Sequence, residues 1–142
     1  MTRCYEYRHV VAFEETNLVG NVYYLNHLRW QGRCREMFLR DHAPDIIKQL
    51  QEGLALVTVR CSCDYGSELH AFDEISVRMR LASIRQNRIA LSFEYYRTDG
   101  SVAEAELIAK GEHEVACMRR DGERTVATPI PESLRRALVQ FE

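Results

Sequence analysis

The sequence predicts a two-layer α+β domain in which one long helix lies against an antiparallel sheet of five to six strands. Three observations carry that reading. A helix-favouring stretch runs from residue 22 to residue 41 without a proline. Four later segments alternate apolar and polar residues with the period of a strand. Turn signals separate those segments at short intervals. The chain has 142 residues, the usual size of one compact unit, and is read as a single domain over residues 1–142.

The elements follow in order. Residues 4–13 are rich in Tyr, Val, His and Phe and read as a first strand, which the polar run 14–20 ends. The helix spans 22–41. A shorter helix covers 44–51, with Pro44 in its first turn and Gly53 just past its end. Strands are expected at 54–65, 74–84, 88–97 and 103–119. In the third of these Ile89, Leu91, Phe93 and Tyr95 share a face, and in the fourth Leu107, Ala109, Gly111, Val115 and Cys117 do. The turns are Gln86-Asn87, Thr98-Asp99-Gly100-Ser101 and Arg120-Asp121-Gly122. A last strand at 124–127 and a terminal helix at 131–140 complete the chain.

Unrolled at about 100° per residue, the long helix gathers Arg29, Arg33, Glu36 and Arg40 into a solvent stripe. Leu25, Leu28, Gly32 and Leu39 lie beside the stripe, while Tyr23, Trp30, Cys34, Met37 and Phe38 spread over the far side. A helix wrapped by a sheet is expected to be apolar around much of its circumference. Gly32 costs about 1 kcal/mol against alanine, so another backbone is expected to approach it closely. Arg35 falls outside the stripe, between Leu28 and Gln31. Either it reaches solvent or a carboxylate at a subunit interface, or it holds a specific anionic or carbonyl group.

Charge and composition exclude several classes. Lys and Arg total 19 against 21 for Asp and Glu, a net charge of −2, so no field of one sign calls for nucleic acid or anionic lipid. No run of about 20 apolar residues is present to cross a bilayer and no apolar leader is visible, which places the protein in the cytoplasm. The five cysteines, Cys4, Cys34, Cys61, Cys63 and Cys117, show no disulfide framework. Cys61 and Cys63 share a strand face, where buried core packing is favoured over a metal pair. The five histidines (His9, His27, His42, His70 and His113) have no metal spacing and read as structural, so neither metal nor cofactor is expected. Without a Gly-x-Ser-x-Gly motif, an α/β-hydrolase fails its first requirement. Tyr5, Tyr7, Tyr95 and Tyr96 are read as packing residues rather than as the lining of an acyl tunnel. The connection Gly66-Ser67-Glu68 is read as ordinary rather than as a tunnel mouth.

The segment before the helix, Glu15-Thr16-Asn17-Leu18-Val19-Gly20-Asn21-Val22-Tyr23-Tyr24, leaves two readings open. Asn17 or Asn21 caps the helix. Alternatively Gly20 turns the chain so that the unpaired N–H groups of the first helical turn face a reacting carbonyl, with the positive helix end behind them.

Here the pattern resembles the hotdog thioesterases of the 4-hydroxybenzoyl-CoA thioesterase type, whose Asp-x-x-Gly-x-Val-aromatic-aromatic motif leads into a long central helix. The match is Asn17-Leu18-Val19-Gly20-Asn21-Val22-Tyr23-Tyr24, then Asn26-His27-Leu28-Arg29-Trp30. The stretch Leu69-His70-Ala71-Phe72-Asp73-Glu74-Ile75-Ser76-Val77 also looks like the family's approach to its third strand. The catalytic aspartate of that family is Asn17 here, and an amide is neither nucleophile nor general base at neutral pH. A related pattern with a glutamate about two turns into the helix is absent too, since Gln31 and Gly32 occupy that region. Asn17 together with Arg35 and Glu36 is similar to the thioesterases of enediyne polyketide biosynthesis.

That resemblance implies a hotdog fold and release of a linear polyene, as a β-keto or β-hydroxy thioester, from the acyl-carrier domain of an iterative polyketide synthase. It implies Asn17 and Arg35 as key residues. Direct attack by water follows as the expected mechanism, with the Tyr24 backbone N–H as oxyanion donor and Arg35 on the β-oxygen or the developing carboxylate, either from a second subunit or elsewhere along the acyl channel. Gly20, Tyr23, Leu28 and Tyr65 are the expected substrate-binding residues. A homotetramer is expected. The rivals are a general acyl-CoA thioesterase of the same fold and a non-catalytic acyl-binding protein.

Overall fold

The computed structural model describes residues 3–98 and 105–142. β1 (Tyr5–Val10) leads through a 3-10 turn (Phe13–Glu15) to α1 (Leu25–His42) and α2 (Pro44–Gln51). There follow β2 (Leu54–Tyr65), β3 (Glu74–Arg85), β4 (Arg88–Thr98), β5 (Glu106–Asp121), β6 (Arg124–Ala127) and α3 (Glu132–Val139). The strands make one antiparallel sheet in the order β1-β3-β4-β5-β2, with β6 paired to the last residues of β5. The first residues of the strand expected at 103–119, and residues 99–101 of the turn before it, lie outside the described residues.

α1 lies across one face of the sheet. Its Trp30, Cys34 and Phe38 share a buried cluster with Ile75, Val77 and Met79 of β3 and Leu91, Phe93 and Tyr95 of β4. Alternation along β3 and β4 makes this possible, because every second residue faces the helix. The solvent stripe Arg29, Arg33, Glu36 and Arg40 is exposed as expected.

Five features differ from the sequence reading. α1 starts at Leu25 rather than residue 22, because Asn21 and Val22 are held in extended bridges to His70 and Thr16. The circumference of α1 is not broadly apolar: Asn26, His27 and Gln31 are buried and Leu25 is exposed. Two of those polar residues find carbonyls, Asn26 Nδ2 donating to Glu15 and Gln31 Nε2 to Ser62. A Cβ on Gly32 would meet nothing within 4 Å, whereas one on Gly111 would lie 2.6 Å from the Ser62 carbonyl oxygen and collide with Gln31. The close approach that the glycine of the helix suggested is therefore made by the glycine of β5.

Leu107 points outward and Ile108 inward, because a register shift between Tyr95 and Tyr96 inserts one residue into β5. Alternation read from sequence has no means of anticipating such a bulge. Finally, Cys61 is exposed and Cys63 half-buried, unlike the buried Cys34 and Cys117. β2 is an edge strand paired to β5 alone, so packing on its faces is incomplete.

Candidate active site

Glu15 organises the chain ahead of α1. Its carboxylate accepts hydrogen bonds from the Ala12 N–H and the Trp30 Nε1–H, each at 2.8 Å, and pairs with His9 Nε2 at 2.7 Å. Burial opposes ionisation, yet the bonds from Ala12, His9 and Trp30 hold this carboxyl below its ordinary range. The Glu15 carbonyl accepts from Asn26 Nδ2 at 2.8 Å and from the Tyr23 N–H at 2.9 Å. The loop is thus tied to the first two turns of α1. Sequence reading missed Glu15, because one acid of a Glu14-Glu15 pair in a polar run carries no pattern.

These ties set the direction of the next peptide. The Tyr23 carbonyl accepts the Asn26 N–H at 2.9 Å and so points along the helix. In a planar trans peptide the N–H lies opposite the carbonyl, so the Tyr24 N–H points away from the helix body. It meets no acceptor among the described residues. The following carbonyl, that of Tyr24, accepts a hydrogen bond from Tyr65 Oη at 2.7 Å, which anchors the helix start to the end of β2. A bare donor therefore stands, rigidly held, at the positive end of the helix dipole.

A cavity of about 260 Å³ opens here, lined by Asn21, Val22, Tyr24, His27, Tyr65 and residues 66–68. The connection read as ordinary is therefore part of the cavity wall. His27 is 4% exposed, and neither ring nitrogen makes a hydrogen bond among the described residues. Burial pushes its imidazole down to about 4, against a smaller upward pull from the nearby Tyr24 backbone. The ring stands edge-on to Tyr65 at 4.7 Å and tilted against Trp30 at 5.1 Å. Asn21 Oδ1 is also buried without a partner. Glu68, an exposed carboxylate, stands among the lining residues.

Of the residues singled out by sequence, Tyr24 and Tyr65 meet in this cavity. Asn17 lies in the exposed loop before it, where its Oδ1 accepts the Val19 N–H at 3.0 Å. Gly20 closes that loop with φ +94°, a conformation favouring glycine, and donates its N–H to the Asn17 carbonyl at 2.9 Å. The capping alternative is ruled out for both asparagines, since the N-cap of α1 is Tyr24 and no side chain caps it. Tyr23 is exposed with its ring 4.8 Å from that of Tyr24. Leu28 is half-buried on α1 and does not line the cavity.

Arg35 stands apart, about 16 Å from Tyr24 along the helix axis. Its Nη1 lies 3.3 Å from His113 Nε2, which in turn lies 3.0 Å from Thr58 Oγ1. Arginine only donates, so His113 Nε2 presents a lone pair and the imidazole is neutral. Burial first, and the Arg35 charge second, push His113 down to about 4. Arg35 Nε is buried without a partner, and no ion pair joins this guanidinium to a carboxylate among the described residues.

Among the described residues no group of three or more His, Cys, Asp or Glu is placed to hold a metal ion, and no helix is long and apolar enough to cross a membrane.

Comparison with known proteins bears on this arrangement. The profile of the thioesterase-like superfamily matches residues 11–138. The dynemicin thioesterase, whose crystal structures describe polyene binding, is 50% identical, with a TM-score of 0.93 over 98% of this chain and 97% of that one. The 1,4-dihydroxy-2-naphthoyl-CoA hydrolase of Prochlorococcus marinus (strain MIT 9211) is 29% identical over 68% of this chain and 69% of its own length. The D17N mutant of 4-hydroxybenzoyl-CoA thioesterase, complexed with 4-hydroxybenzoyl-CoA, shares the fold: TM-score 0.80 at 19% identity, over 96% of this chain and 99% of that one.

Proposed function

The chain belongs to the thioesterase-like superfamily and is a thioesterase of the hotdog fold, and we propose that it releases a linear polyene from the acyl-carrier domain of an iterative polyketide synthase. The observation that supports this most is the unpartnered Tyr24 N–H beside a cavity bounded by His27 and Tyr65. Half-identity to the dynemicin thioesterase over nearly the full length of both chains supports the choice of a polyene.

In the proposed reaction water adds to the thioester carbonyl carbon, and the Tyr24 N–H receives the negative charge that forms on oxygen. Collapse breaks the carbon–sulfur bond, and the departing thiol takes up the proton that the water loses. Asn17, which has an amide in place of a carboxylate, orients the water or the carbonyl. Gly20 and Tyr23 shape the approach, and Leu28 lies further along the acyl path. Preorganised donors of this kind contribute about 2.7–4 kcal/mol each to transition-state stabilisation.

Arg35 serves the site of a second copy in this proposal, where it holds the developing carboxylate, since about 16 Å of helix separates it from Tyr24. Its guanidinium lies against His113 of β5, which also contacts Thr58 of the edge strand β2. The long edge of β2, with Val57 and Val59 exposed, suits pairing with another chain, and a tetramer follows by stacking two such dimers.

The test offers the purified protein short acyl-CoAs, long acyl-CoAs and a polyene on its carrier domain. Hydrolysis of the carrier-bound polyene alone is expected. Broad hydrolysis of CoA thioesters would instead make it a general acyl-CoA thioesterase, and none at all an acyl-binding protein. Glu68 marks a second reading, because a carboxylate lines the cavity. A loss of more than about tenfold in Glu68→Gln would make it the general base.

A further inference from the structure

The cavity at the start of α1 holds more polar capacity than a single thioester carbonyl uses. Its side chains differ in what they have left to offer. Tyr65 Oη commits its proton to the Tyr24 carbonyl, and Ser67 Oγ faces Glu106 at 3.4 Å. The orphan atom of Asn21 is a carbonyl oxygen, which accepts and does not donate. His27 is different: both ring nitrogens are buried, and the nearby Tyr24 backbone stands too poorly aligned to make a hydrogen bond of normal geometry with them. A neutral imidazole carries one N–H donor and one lone pair, and leaving such a group unsatisfied costs about 1–3 kcal/mol.

His27 is 4% exposed and lines the cavity, so a group bound in the cavity is placed to supply the missing partner. Its position relative to the oxyanion donor is defined by the helix. Tyr24, at the N-cap, and His27, three residues on in the first turn of α1, both line this cavity. Two polar sites facing one cavity suit a chain that carries two nearby oxygens, one on the thioester carbon and one on the β-carbon.

From this arrangement we infer that His27 is the residue that recognises the β-oxygen of the acyl chain. A β-ketone accepts the imidazole N–H, and a β-hydroxyl donates to the imidazole lone pair, so one ring serves either oxidation state. The contact fixes the chain so that its thioester carbonyl lies against the Tyr24 N–H. This rests on the thioesterase reading of the same cavity, and it names the feature of the substrate that the cavity selects.

Binding tests it separately from hydrolysis. The probes are acyl chains in which methylene replaces the thioester sulfur, made as a plain ketone, a 1,3-diketone and a β-hydroxy ketone, with dissociation constants measured by calorimetry. Wild type is expected to bind both oxygenated probes about three- to tenfold more tightly than the plain ketone, the worth of one hydrogen bond. His27→Phe keeps the ring and is expected to bring both ratios to about one, while His27→Gln, which keeps a donor and an acceptor, retains a preference. If the phenylalanine variant does not fold, His27→Leu and the glutamine variant give the same contrast. Equal binding of the three probes by wild type, or a preference that survives His27→Phe or His27→Leu, overturns the assignment. Hydrolysis of the matching thioesters reports on the thioesterase reading. A protein that discriminates among the probes but cleaves no thioester would refute that reading and leave His27 in its role.

Discussion

At its C-terminal end α1 is closed by aromatic rings. Phe38 and His42 pack against Phe141 at 5.6 and 5.1 Å between ring centroids, and Tyr5 stands edge-on to both at 5.6 Å. Tyr5 Oη donates to Asp41 at 2.6 Å. At the N-terminal end the same helix and the segment before it leave the Tyr24 N–H, both nitrogens of His27 and Asn21 Oδ1 without well-aligned partners among the described residues, and the loop exposes Leu18 and Val19. Unsatisfied buried polar groups destabilise a fold. One element therefore carries stabilising packing at one end and a standing cost at the other, and the costly end is where a substrate is able to supply what is missing.

The comparison breaks if stability and activity respond together at either end. The largest effect expected is in Phe38→Ala, which removes a fully buried ring and loses about 3–5 kcal/mol of stability, measured by denaturant melts. Its activity per folded molecule should stay near wild type, and a larger loss would mean that the aromatic end also shapes the site. Asn17→Ala is expected to do the reverse. Thioester turnover should fall by about 10²–10³, while stability moves by no more than about 0.5 kcal/mol, as for a surface substitution. Turnover at the wild-type rate would remove Asn17 from the mechanism.

A smaller effect sharpens the contrast through pH. His27 and His113 are held down to about 4 in the folded protein, against an ordinary value of 6.5. The unfolded chain thus binds more protons than the folded one between those values, and stability falls as pH drops from about 6.5 towards 4. The Glu15 carboxyl, held below its ordinary value, adds a further loss in the same direction at lower pH. Melting temperatures from pH 7 to pH 4 should fall, and His27→Phe should flatten the upper part of that decline. An unchanged slope would mean that the ring protonates freely in the folded state.

Much of this was legible in the sequence for identifiable reasons. Residues 44–51, 54–65 and 124–127 form the elements their periodicity and punctuation announce. Tyr24 and Tyr65 are each expected as site residues, but their meeting across forty-one residues follows only from the path of β2, which ends at the helix start. The rest depended on contacts that periodicity does not encode. The bulge that turns Ile108 inward is invisible to a period of two. Glu15 acquires its role only from His9 and Trp30, distant in the chain. His27 looked structural because its lack of partners is a property of three-dimensional packing.

The central claim concerns the Tyr24 amide, and NMR of ¹⁵N-labelled protein tests it most directly. An acyl trifluoromethyl ketone, whose hydrate mimics the tetrahedral intermediate, is titrated to saturation while that amide is followed. If the N–H accommodates the developing charge, its proton resonance moves downfield and its exchange with solvent slows. A Tyr24 amide that keeps its shift and exchange rate while the ligand saturates the protein would contradict the account.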